Sequence, residues 1–153
     1  MTMRSQKRTS GGSVLLEALV GILIFSIGIL ALVAMQAEAI RNTTEAKYRN
    51  DASYLANQII GRMWADRVKS DGTSNLGSYS HYAGGTSVCS PTGTASTYGG
   101  VTDWLADVNA TLPNAPTNKQ QIKIGANNLV TVTLCWQTGS TSHNLVVSAQ
   151  IQG

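Results

Sequence analysis

The chain has 153 residues, room for one ordinary domain with an anchor or tail, and its 42% hydrophobic content excludes a disordered protein. Charged residues, at 12%, are about half the roughly 25% that soluble domains carry. The net charge of +3 comes from 11 Lys and Arg against 8 Asp and Glu; Arg4, Lys7 and Arg8 precede Gly12, and without them the balance is even, which leaves room for a small cationic patch but gives no support to a broad basic surface for nucleic acid.

From Ala18 to Ala37 no residue is charged, and Leu, Ile, Val and Ala dominate. Twenty such residues in a helix span about 30 Å, the thickness of a bilayer core. The run exceeds the apolar stretch of an ordinary secretory signal. Glu38 brings the helix back to water. The cations ahead of the run put residues 1–12 in the cytoplasm and everything after Ala37 outside. Glu17, behind Val14, Leu15 and Leu16, stands at the cytoplasmic end of the run, where an acid is costly unless it reaches the headgroups or finds a partner. A cut between Gly12 and Ser13 would create an α-amino group four residues away, and in a stack of such chains one amine could face a neighbour's carboxylate. Gly21, Gly28 and Ala31 fall within about 40° of Glu17 on the helical wheel. They mark either a face that lets another backbone approach closely or the ordinary glycine content of membrane helices.

Beyond the apolar run, Tyr48, Ala52, Leu55, Ile59 and Met63 recur at steps of three or four. No Pro interrupts residues 13–69, so the spacing predicts a single helix of about 55 residues, apolar all round in its first half and one-sided in its second. Residues 70–102 then hold 7 Ser, 6 Thr and 7 Gly, with Asp71 the sole charge, and read as loop and not core. Thr102 or Asp103 is the expected cap of a short helix carrying Trp104, Leu105 and Val108, closed by Pro113. Asp103 and Asp107, four apart on it, read as a complement to the helix dipole. After that the period becomes two. Ile122 and Ile124, Leu129 to Trp136, and Leu145 to Ile151 form three strands joined by turns at residues 125–128 and at Gly139, an antiparallel meander with one face for the amphipathic half of the long helix. Trp64, Trp104 and Trp136 are expected as core or interface anchors.

Cys89 and Cys135 both fall on the exported side, where a disulfide between the loop and the middle strand is the expected pairing. His81 and His143 stand apart from each other and from acids, so each reads as a surface histidine and no metal site is expected. The exported part lacks G-x-S-x-G, H-E-x-x-H, C-x-x-C and a phosphate loop, which argues against an enzyme, a cofactor or a small-molecule substrate.

Gly12, Ser13 and Glu17, the carboxylate standing fifth after the glycine, behind a short basic leader and ahead of an apolar helix, resemble the class III signal of type IV pilins and pseudopilins. The resemblance implies cleavage between Gly12 and Ser13 by the membrane prepilin peptidase, N-methylation of Ser13, and a role for Glu17 in subunit registration. The family most often has Phe where this chain has Ser13. Ser26, Ile27, Gly28, Met35 and Gln36, then the stretch AKYRNDASYLANQIIGRMWAD over residues 46–66, resemble the minor pilins of the PilV family, the type IV pilus modification proteins. Asp103, Trp104 and Leu105 leading to Leu112 and Pro113, and the strands with Cys135 and Trp136, are similar to that family's C-terminal half.

The implied fold is α+β, a type IV pilin fold in which a long N-terminal helix packs on an antiparallel sheet. It divides into a leader (1–12), a transmembrane and filament-core half-helix (13–37), an amphipathic half-helix (38–69) and a periplasmic head (70–153). The implied function is that of a minor pilin in a complex that primes type IV pilus assembly, supporting adhesion and twitching motility. Its expected partners are other minor pilins and the major pilin, the prepilin peptidase, the inner-membrane assembly machinery and, before assembly, membrane lipid. The chain would be stored in the inner membrane and then enter the pilus. Alternatives are a type II secretion pseudopilin, an uncleaved single-pass anchor, or a DNA-uptake module in which Arg62, Arg67, Lys69, Lys119 and Lys123 converge. Against the pseudopilin stands the near absence of acids after Asp71, only Asp103 and Asp107 remaining for a calcium site.

Overall fold

The computed structural model describes residues 11–152. The basic leader expected before the cut lies, apart from its two final glycines, outside the described residues. The chain divides into two compact units, Met1–Thr44 and Glu45–Gly153.

Helix α1 runs Gly11–Ala65, 55 residues. The first unit holds its N-terminal part, in which every residue from 12 to 44 is exposed. Three of the four hydroxyls here turn inward on the backbone: Ser26 Oγ donates to the Ile22 carbonyl at 2.7 Å, and Thr43 and Thr44 both donate to Ile40 at 2.9 Å. Each of these three thus has its hydrogen bond within the helix and asks nothing of an apolar surrounding.

The second unit is built on the one-sided part of α1. Ala52, Leu55, Ala56, Ile59, Ile60 and Met63 are buried together with Val101, Trp104, Leu105 and Val108 of α2 (Gly99–Thr111). A three-stranded antiparallel sheet, β1 (Gln121–Ile124), β2 (Leu129–Thr138) and β3 (Thr141–Gln150), in the order β1-β2-β3, supplies Ile122, Val130, Val132, Leu134 and Trp136 to the same core. The register runs from Gln121↔Thr133 in the first pair and ends at Thr138↔Thr141 in the second. Even-numbered residues of β2 therefore face the core and odd-numbered ones face away. Each fully buried Ile or Leu is worth about 1.5–3 kcal/mol relative to exposure, so the period-two and period-3.6 patterns meet in one apolar layer. The turns use the residues that tolerate them: Asn127 and Asn128 sit at φ 55 and 54, and Gly139 at φ 59. The fold is thus α+β and pilin-like, a long N-terminal apolar helix whose later part packs with a small antiparallel sheet.

Several expectations need correction. The Ser, Thr and Gly-rich stretch is not bare loop: Leu76 and Tyr79, in a one-turn 3-10 helix over Leu76–Tyr79, are buried, and His81 is 1% exposed. The stretch is held by specific hydrogen bonds that its composition does not announce. Helix α2 begins at Gly99 behind Tyr98, not at Thr102 or Asp103, because the Tyr98 carbonyl accepts from the Val101 and Thr102 amides at 2.9 and 3.0 Å. Its first turn carries no acid, and Asp107 lies 3.8 Å from Arg62 instead, an exposed pair of small energetic weight. Trp104 and Trp136 are buried, but Trp64 remains 38% exposed with Arg67 near its ring.

Candidate assembly surface

Large apolar side chains are exposed all around α1 from Val14 to Ile40, Leu15, Leu19, Phe25 and Met35 among them. An 18-residue window of α1 reaches a mean hydropathy of 2.8 with none of it buried, and this is the one described helix long and apolar enough to cross a membrane. Water is a poor solvent for such a surface, since single-patch exposures on soluble monomers seldom exceed a few hundred Å². A bilayer or a bundle of like helices satisfies it, because the helix backbone is already bonded to itself.

The residues singled out in the sequence lie on this surface. Gly12 and Ser13 fall in the first turns of α1, and Glu17 stands exposed one turn further on. A Cβ built at Gly12, Gly21 or Gly28 meets nothing within 4 Å, and Ala31 is exposed. Gly21, Gly28 and Ala31, on the same side of the helix as Glu17, thus form an open seam beside the carboxylate, filled by nothing among the described residues. The arrangement can do two things chemically: accept close approach of another helix, and offer one negative charge to a cation in a low-dielectric setting.

A second cluster fastens the end of α1 to the loop. Asp66 follows the last helical residue, where the macrodipole disfavours an acid, and it is stabilised by three donors. The hydroxyls of Tyr98 and Tyr79, the latter at 3.0 Å, and the Asn75 amide at 2.8 Å all donate to Oδ2. The Tyr98 hydroxyl, then Tyr79 and Asn75, hold its carboxyl below the ordinary range against the opposing effect of desolvation. Burial first, and the neighbouring carboxylate second, push the Tyr79 phenol well above its usual value. Asn75 also donates its own amide to the Arg67 carbonyl at 2.9 Å. A further tie is buried: the Trp104 indole N–H donates to the Leu55 carbonyl at 2.8 Å.

His81 is the clearest departure from the sequence reading. Its Nδ1 accepts from the Ser96 amide at 3.0 Å and its Nε2 lies 3.1 Å from the Thr117 carbonyl, so the ring is a neutral Nε2–H tautomer bridging two segments. His143 is half-buried and stacks on Trp136, with ring centroids 5.6 Å apart. Gln120, fully buried, plays a similar bridging part: its amide donates to the carbonyls of Pro116 and Cys135 and accepts from the Cys135 amide. No sequence signal marks these three, because a lone His or Gln declares its partners only once the chain is folded.

Cys89 and Cys135 are joined, with Cα atoms 5.7 Å apart. Cys135 projects from the outward face of β2, so the bond draws the segment ending at Cys89 over that face. Of the candidate cationic groups, Arg62 reaches Asp107 and the Gly100 carbonyl, Arg67 the Trp64 carbonyl, and Lys123 stands exposed on β1. Among the described residues no three His, Cys, Asp or Glu side chains come together as a metal site. Comparison of the chain with protein-family models, curated proteins and solved structures finds no match.

Proposed function

We propose that this chain is a minor type IV pilin, most like the PilV family, stored in the inner membrane with a periplasmic head and later incorporated into the pilus. The observation that carries the proposal is the continuous exposed apolar surface of α1 over residues 14–37, interrupted by one carboxylate, Glu17, close behind the Gly12–Ser13 pair. Such a surface suits two environments in succession, acyl chains and then other helices. In the first, Glu17 reaches toward the headgroups; in the second, it pairs with the α-amine that cleavage after Gly12 exposes on a neighbouring subunit. Gly21, Gly28 and Ala31 leave the space for that neighbour. The Glu45–Gly153 unit, tied by its disulfide and by the Asp66 cluster, is the head that meets other minor pilins and the major pilin, and the function is assembly, not catalysis.

Intact-mass spectrometry of the chain from cells with and without active prepilin peptidase tests this reading. The expected product begins at Ser13, N-methylated, and only when the peptidase is active; retention of residues 1–12 in both strains overturns it. Glu17→Ala is expected to be cleaved normally yet depleted at least tenfold from sheared pili, and undiminished incorporation would remove Glu17 from the registration role.

A further inference from the structure

His81 joins three separate stretches of the Glu45–Gly153 unit. Its backbone exchanges two bonds with Ile122 of β1: its amide donates at 3.1 Å and its carbonyl accepts at 3.0 Å. Its Nδ1 holds the Ser96 amide and its Nε2–H reaches the Thr117 carbonyl. Ser96 is tied twice more, for its hydroxyl donates to the Ser78 carbonyl at 2.9 Å and accepts from the Tyr98 amide at 3.3 Å. Residues 94–98 lie outside any helix or strand, so side-chain ties of this kind hold them, together with the Tyr82 amide donating to the Thr94 carbonyl at 2.9 Å.

The ring is enclosed, and in the neutral form both of its nitrogens are committed. A second proton can enter only at Nδ1, where the new N–H would point at the N–H of Ser96. Taking that proton and releasing Ser96 are therefore one event. The surroundings offer an imidazolium no counter-charge. His81 borders a cleft of about 340 Å³ with Ser96, Thr102, Leu105, Asn109 and Thr117, and among the described residues no charged side chain lines it. Tyr82 stands edge-on to the ring, centroids 4.6 Å apart, while Tyr79 and Tyr98 turn their hydroxyls to Asp66. The charges of the neighbouring elements are exposed: Asp103 and Asp107 on α2, the latter toward Arg62, Lys119 beyond Thr117, and Lys123 on β1. A charged ring here would be buried without a partner, which an apolar interior disfavours.

We propose that His81 is an acid-released latch, whose protonation frees residues 94–97 while the sheet and the helical core stay folded. The tie is complete above the ordinary histidine range, near about pH 6.5, and is lost as pH falls through it. Three contacts confine the opening. The Asp66 carboxyl, held below its ordinary range by Tyr98, then Tyr79 and Asn75, still binds the Tyr98 hydroxyl at the pH where a histidine takes its proton. The Cys89–Cys135 bond keeps the near end of the segment on β2. The pairing with Ile122 uses the His81 backbone and is indifferent to the charge on the ring. The segment thus loosens between two fixed points. Thr94, Ser96 and Thr97 line an open groove of about 640 Å³ shared with Ser78 and Ser80, so the latch sets the shape of that surface. The inference does not rest on the pilin reading, since it concerns only the Glu45–Gly153 unit and its test involves neither Glu17 nor a filament.

The test follows the full chain in detergent micelles by nuclear magnetic resonance at about pH 8 and about pH 5, on either side of the histidine range. Amide protection is taken relative to the intrinsic exchange rate at each pH, which removes the direct effect of pH on exchange. At the lower pH the Ser96 amide is expected to lose at least tenfold in protection, while Val132 and Leu134 of β2 keep theirs. The nitrogen shifts of the His81 ring should report the second proton over the same interval. His81→Gln, which does not titrate, should give Ser96 the same protection at both pH values; if that variant does not fold, the ring shifts of the unaltered chain decide. A ring that gains its proton with Ser96 still protected overturns the proposal, as does a ring that stays neutral at the lower pH. So does a loss at Ser96 that persists in folded His81→Gln, or one shared by Val132 and Leu134, because that is unfolding of the whole unit.

Discussion

Breaking the Cys89–Cys135 bond should lower the stability of the Glu45–Gly153 unit by about 2–4 kcal/mol. The bond closes a loop with a sequence separation of 46, which contains all of α2 and β1. In the chain-entropy model a loop of that size removes about 4 kcal/mol of disorder from the unfolded chain, and residual structure in the denatured state reduces the measured value. Cys135 is 2% exposed, so replacing it also removes a packed sulfur. The cleaner perturbation is Cys89→Ala, which keeps that sulfur in place and deletes only the cross-link. Urea unfolding of the full chain in detergent, followed through the near-UV signal of Trp104 and Trp136, reads the effect. With a slope of about 1–3 kcal/mol per molar urea, the loss places the midpoint of Cys89→Ala roughly 1–3 M below that of the oxidised chain. Dithiothreitol should move the wild-type chain to the same midpoint and leave the variant unchanged. Coincident transitions for oxidised chain and variant would refute the argument that the cross-link holds the Ser70–Thr102 segment on the sheet.

Other outcomes follow from the same contacts. Trp104→Phe keeps an aromatic ring against α1 but deletes the N–H that reaches the Leu55 carbonyl, and should cost about 1–2 kcal/mol in the same urea assay. Ile59→Ala, at a position with no exposure, should cost about 2–5 kcal/mol and lower the thermal midpoint. The depressed Asp66 carboxyl makes a contribution that is present above the ordinary carboxylate range and is lost as pH falls through it, below about pH 4. Asp71, lowered by Thr73, titrates in the same direction, so acid unfolding of Asp66→Asn should be flattened and not abolished. At the alkaline end the Tyr79 phenol is raised, so the folded chain holds its proton more tightly, and stability should fall as pH climbs past about 10. Tyr79→Phe should remove that component of the melting profile.

How much was legible divides by the range of the interaction. The 55-residue helix, the strands and the turns at Asn127, Asn128 and Gly139 follow from local periodicity and backbone preference, and the alternation over residues 129–136 predicted one buried face for β2. The helix α2 start moved forward to Gly99 because a carbonyl of Tyr98, not a capping side chain, receives the first amides. His81, Gln120 and the Asp66 cluster were invisible, since each has at least one partner 13 to 36 positions away along the chain, with no motif in common. The open edge at β3 belongs to the same class: its lack of charge could be read from residues 141–150, but that it lies outermost could not.

The sequence by itself therefore determined what each segment wants, a lipid-like surrounding for residues 18–37 and a packed layer for the later apolar stripes, because hydrophobicity and period are carried by the residues in order. Only the tertiary structure decided which polar groups are enclosed and which backbone groups are left free. A hydrogen bond needs two partners at about 3 Å, and their meeting is fixed by the fold as a whole.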